Sequence, residues 1–139
     1  MIDYDKFEKS LKHLQLQYEN YKTIDQQPNL SQLEKEAIAE SVIHRFEICY
    51  DCLWKVLKRY LTEELGIPEM PNSPKPIFQI AFENMLFLNI LQWKEYADVR
   101  INTSLNYTNS ETFNTFCLVN KFIPDVINLY EKISGKKWS

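Results

Sequence analysis

This chain should fold as an all-α, antiparallel up-and-down bundle of about five helices. Its apolar residues recur at the three-and-four spacing of an amphipathic helix, and no stretch alternates convincingly with the period of a strand. Glycine is scarce, with 2 in 139 residues. That scarcity disfavours many-turned β folds and glycine-rich phosphate loops. Strong breaks fall at only a few points, which leaves long helices joined by short connections, the recipe for an antiparallel bundle. With 45% hydrophobic residues, the chain has enough apolar surface for one core, so residues 1–139 read as a single domain.

The first helix should run from Tyr4 to about Ile24. Tyr4, Phe7, Leu11, Leu14, Tyr18 and Tyr21 make one apolar stripe, and "DQQPNL" ends it because Pro28 cannot continue a helix interior. "SQLE" at 31–34 is a capping box: Ser31 can accept from the third helical N–H, and Glu34 can reach back to the cap. The second helix should then extend to about Leu65, with Gly66 and Pro68 as its stop. Its inward stripe reads Ala39, Val42, Phe46, Tyr50, Leu53, Leu57 and Tyr60, widened by Trp54 and Leu61. "IPEMPNSPKP" is a connection, in which Ser73 before Pro74 forms an N-cap with proline at the first helical position. A third helix follows to about Leu86. A fourth begins near Asn89 or Leu91 and reaches about Asn106. Ser110 should cap the last, which carries Phe113, Phe116, Phe122, Ile123, Ile127 and Tyr130, with a kink at Pro124.

Composition narrows function. The formal charge is −3, from 16 basic and 19 acidic residues, which argues against RNA as a partner over the whole surface. No run approaches the roughly 18 apolar residues of a membrane span. Met1 leads into "IDYDKFEKS", which is neither a signal nor a transit sequence. Three cysteines, an odd number, read with that start as reduced thiols in the cytoplasm. Cys49 and Cys52 form a lone C-x-x-C inside a helix, and Cys117, His13 and His44 fall on other segments or faces. No metal site is expected, since zinc needs further ligands in reach. His44 and His13 read as surface residues.

The informative stretch is "VRINTSLNY", residues 99–107. At 100° per residue with Trp93 at zero, Ala97 falls at about 40°, Arg100 at about −20°, Ser104 at about 20° and Tyr107 at about −40°. Arg100, Ser104 and Tyr107 therefore share the inward face of Trp93 and Ala97, while Asn102 points away. A guanidinium on an apolar face needs a partner. Two readings are open. Arg100 bonds a carboxylate or helix-end carbonyls, or it receives an anion such as the phosphate of a nucleotide, with Ser104 and Glu47 beside it. Glu47 lies on the margin of the second helix's buried stripe. It is either an exposed helix-surface carboxylate or the partner of Arg100.

"HRFEICYDCLWKVLKRYL" resembles the second-helix signature of the HEPN-fold nucleotidyltransferase substrate-binding proteins. The matching residues are Arg45, Phe46 and Glu47, then Tyr50, then Trp54 and Lys55. "SPKPIFQIAFENMLFLN" followed by Trp93 matches the family's order, and the resemblance spans roughly residues 35–132. It implies a HEPN-like helical bundle, a homodimer, and a small separately encoded nucleotidyltransferase as partner, usually from the neighbouring reading frame. The abundance of aromatics, 3 Trp, 8 Tyr and 8 Phe, also favours a dimer. Ribonuclease members of the fold carry an arginine, often followed by asparagine, then a histidine four to six residues on. The toxin–antitoxin branch adds a tyrosine that its partner can adenylylate. Here Arg100 and Tyr107 match, but Ile101 stands for the asparagine and Leu105 for the histidine. Leu105 cannot transfer a proton. The resemblance therefore implies a non-catalytic, substrate-binding subunit with no catalytic residue and no cofactor of its own, and Tyr107 as a candidate modification site. The alternatives are a HEPN ribonuclease with a degenerate motif and a structural helical interaction module.

Overall fold

The computed structural model describes residues 2–102 and 109–139; the side chains of Asp25, Asn102 and residues 109–114 lie outside that description. Five α-helices appear, with no strand among the described residues: α1 Asp5–Lys22, α2 Gln32–Glu63, α3 Pro74–Glu83, α4 Ile90–Asn102 and α5 Asn109–Ser134. A single 3-10 turn, Ile24–Gln26, follows α1.

The ends of α2 are built by local chemistry. The Glu34 N–H donates to Ser31 Oγ at 3.1 Å and the Ser31 N–H to Glu34 Oε1 at 3.2 Å, the reciprocal cap expected. At the far end Gly66 takes φ +67°, where an L side chain would be strained. That turn brings the Ile67 N–H back to the Leu61 carbonyl at 3.1 Å.

Two boundaries differ from the sequence reading, and a third is not reached by the described residues. Helix α3 stops at Glu83, not Leu86, because Asn84 folds its amide onto the Ile80 carbonyl at 2.8 Å and Met85 takes φ +63°. Helix α4 is described to Asn102, so the expected continuation to Asn106 lies outside the described residues. Helix α5 begins at Asn109, which makes Ser110 its second residue rather than its cap. Pro124 does fall inside α5.

Helix α2 is the spine, packed against α1, α3 and α5, while α4 lies against α3 and α5. The inward stripe of α1 is as expected: Phe7, Leu11, Leu14 and Tyr18 are buried. In α2 the buried band differs from the stripe read from sequence: Ala39, Trp54 and Tyr60 are only half-buried. Ile43 and Cys49 join Val42, Phe46, Tyr50, Leu53, Leu57 and Leu61, since helices cover this spine on several sides. Edge-to-face aromatic contacts link the layers: Phe46–Phe122 at 4.9 Å, Phe122–Tyr96 at 5.1 Å, Tyr96–Trp93 at 5.4 Å, and Trp93–Phe78 at 5.3 Å. The Tyr96 hydroxyl donates to Asp125 of α5 in a short hydrogen bond. Burial, then the Asp125 carboxylate, holds this phenol's pKa far above its ordinary 10.0. The C-terminal tail folds back on α1, where Trp138 Nε1 donates to Gln15 Oε1 at 3.0 Å.

Candidate functional site

Trp93 and Ala97 are buried, so the inward face of α4 lies where the helical wheel puts it. Arg100 extends that face by one turn and meets α2. Its Nη1 donates to Glu47 Oε2 at 2.9 Å and its Nη2 to Asp51 Oδ2 at 3.3 Å. Glu47 and Asp51 stand one helical turn apart on α2 and therefore share a face. The Arg100 side chain is 27% exposed, and its guanidinium spans both. Of the two readings open for Glu47, the structure gives the ion pair. Asp51 was missed by the sequence reading, although its four-residue offset from Glu47 is a signal for it. Ser104 and Tyr107 lie outside the described residues.

A second tie joins α3 to α4: Lys75, at the start of α3, pairs with Asp98. Between these two pairs lies a cleft of about 610 Å³. Helix α2 supplies Tyr50, Asp51 and Trp54 to its wall. The start of α3 supplies residues 73–76, with Pro74 and Pro76 as rigid apolar surface. Helix α4 supplies Ala97, Arg100 and Ile101. Its size is that of a small-molecule site, with mostly apolar walls and a few placed polar groups. The Tyr50 phenol is 2% exposed. Burial, and then the nearby Asp51 carboxylate, push its pKa well above 10.0, so it stays a neutral phenol at physiological pH.

The other sequence candidates lie elsewhere. His44 is exposed, as expected. His13 is not a plain surface residue: it is half-buried, with Nδ1 3.5 Å from Arg45 Nη1 across the α1–α2 contact. Cys49 is fully buried, and desolvation pushes its thiol up to about 12 against the opposing hydrogen bond of Ser10. Cys52 is half-buried, Cys117 is exposed, and all three are free thiols. Among the described residues no three His, Cys, Asp or Glu side chains group as metal ligands, and no helix is long and apolar enough to cross a membrane.

Fold and cleft together define a small helical-bundle protein with a ligand-sized groove walled by α2, α3 and α4. The chain belongs to a known family: the one described as nucleotidyltransferase substrate binding protein like, which matches residues 2–135. A crystal structure of a protein from Thermus thermophilus shares the fold, with a TM-score of 0.74 at 22% sequence identity, over 91% of this chain and 98% of that one. No curated protein matches the chain.

Proposed function

We propose that this chain is a non-catalytic, substrate-binding partner of a small, separately encoded nucleotidyltransferase. The observation that carries the reading is the family match, which spans nearly the whole bundle and so includes every wall of the cleft. The chemistry of the described cleft agrees with a binding role. Its phenol is held neutral and its arginine is bound to two carboxylates, an arrangement suited to fixing shape. Ile101 and Leu105 occupy the positions where ribonucleases of the resembled fold carry polar groups, which favours partner over nuclease.

Within this reading Arg100 and Glu47 form a wall that holds α4 to α2. A phosphate arriving at Arg100 would face Glu47 and Asp51, so the geometry favours the carboxylate-bonded alternative over anion capture. Tyr107 is kept as the candidate modification site by the resemblance alone. The chain is a homodimer in the cytoplasm in this reading, with a nucleotide brought by the partner.

The test is co-expression with the nucleotidyltransferase encoded beside it, followed by affinity purification of a tagged chain. A stoichiometric complex is expected; separate elution of the two proteins overturns the reading. Intact mass after incubation of the complex with ATP and Mg²⁺ examines Tyr107. A nucleotidyl adduct that disappears in Tyr107→Phe assigns the modification, and an unchanged mass removes it.

A further inference from the structure

The cleft's described cations are not left open to an anion. The charged residues that line it are Asp51, Lys75 and Arg100, and the two cations are paired with three carboxylates, Asp98, Glu47 and Asp51. Both cations are engaged, Lys75 by Asp98 and Arg100 by the other two. Lys55 lies 5.8 Å from the Trp54 ring centroid but does not line the cleft. Asp51 is the carboxylate with capacity to spare: its side chain is 42% exposed, and only Oδ2 is bonded to Arg100. A carboxylate offers about four acceptor positions. Oδ1 carries no bond among the described residues. Trp54, Pro76 and Ile101 give the same cleft apolar wall.

We infer that this cleft takes an amine-bearing ring compound, its N–H donors on Asp51 and its ring against Trp54, and that it excludes phosphate. An ammonium or amino group would gain a charge-assisted hydrogen bond from Asp51 and attraction to the indole face. The inference rests on the proposed substrate-binding role and sharpens it. The ring compound is the molecule this chain would present to the partner enzyme, which keeps the triphosphate.

The experiment is a ¹H–¹⁵N NMR titration of the full chain alone with three probes: phenethylamine, phenylacetate and inorganic pyrophosphate. The Trp54 indole signal is assigned by its loss in Trp54→Phe. Phenethylamine should move that signal with an affinity on the order of millimolar, as befits so small a probe, and the two anions should leave it in place. Asp51→Asn should weaken the amine roughly tenfold. Because Asp51 also holds Arg100, a second variant keeps the ion pairs intact. Ile101→Lys changes a side chain that is 63% exposed at the cleft wall and adds a positive charge there. It should weaken the amine roughly fivefold. Movement by pyrophosphate or phenylacetate, no movement by any probe, or an amine affinity in both variants unchanged from that of the unmodified chain overturns the inference. A complex that forms with the nucleotidyltransferase while the amine fails to bind sinks this inference alone. Amine binding without a complex sinks the partner role alone.

Discussion

Replacing Arg100 with methionine should destabilise the bundle by about 2 kcal/mol. Methionine keeps much of the aliphatic bulk beside Ala97 but removes the charge from between Glu47 and Asp51. Breaking a fully buried pair costs about 3–5 kcal/mol, and an exposed one about 0–1. The Arg100 and Glu47 side chains are 27% and 20% exposed, which sets that half of the cluster between the two limits. Asp51 is 42% exposed, so solvent screens its share to below about 0.5 kcal/mol. For a chain of 139 residues, 2 kcal/mol corresponds to a Tm lower by roughly 6–10 °C. Urea unfolding followed by far-UV circular dichroism measures the loss, and a cycle with Glu47→Gln isolates the pair. A coupling of about 1–2 kcal/mol is expected, declining in high salt. A loss under about 0.5 kcal/mol for Arg100→Met, or no coupling to Glu47, would refute the view that this cluster fastens α4 to α2.

Four further outcomes follow from the same structure. Phe122 is fully buried between Phe46 and Tyr96, so Phe122→Ala should cost about 3–5 kcal/mol in the same urea assay. Ser31→Ala removes one half of the α2 capping box and should cost about 1 kcal/mol, seen as a lower urea midpoint with an unchanged slope. Stability should fall as pH rises above about 9: Cys49 and Tyr96 both have raised pKa values in the folded state, so the unfolded chain sheds protons first. The contribution of these groups is complete below their unfolded values and is lost toward their folded ones, and Tyr96→Phe should flatten the alkaline slope measured by urea midpoints from pH 8 to 11. Light scattering at tens of micromolar should report a dimer, and a monomer would remove that part of the proposed function.

What could be read from the sequence was what a single helix decides by itself. The Ser31–Glu34 cap, the Gly66 stop and the buried faces of α1 and α4 depend on residues within a turn or two of one another. Spacing therefore displays them directly. Even there, Asn84 was passed over as a local terminator, which made α3 three residues too long. The α2 stripe omitted Ile43 and Cys49 because a stripe presumes one covered side, and α2 is covered on several.

The cleft belongs to the other kind of fact. Wheel angles turned Arg100 inward and left Glu47 marginal, but they could not decide whether the two would meet, nor add Asp51. Those contacts join residues 53 and 49 positions apart. They depend on how far α4 slides along α2 and how each helix is rotated about its axis. The same holds for Tyr96 with Asp125, Lys75 with Asp98, and His13 with Arg45. Rotation and offset are set by side chains packing on both surfaces together, a property of the assembled core. The sequence by itself determined the helices and their inward faces; only the tertiary structure decided which inward groups meet, and so where the cleft lies and which charge it carries.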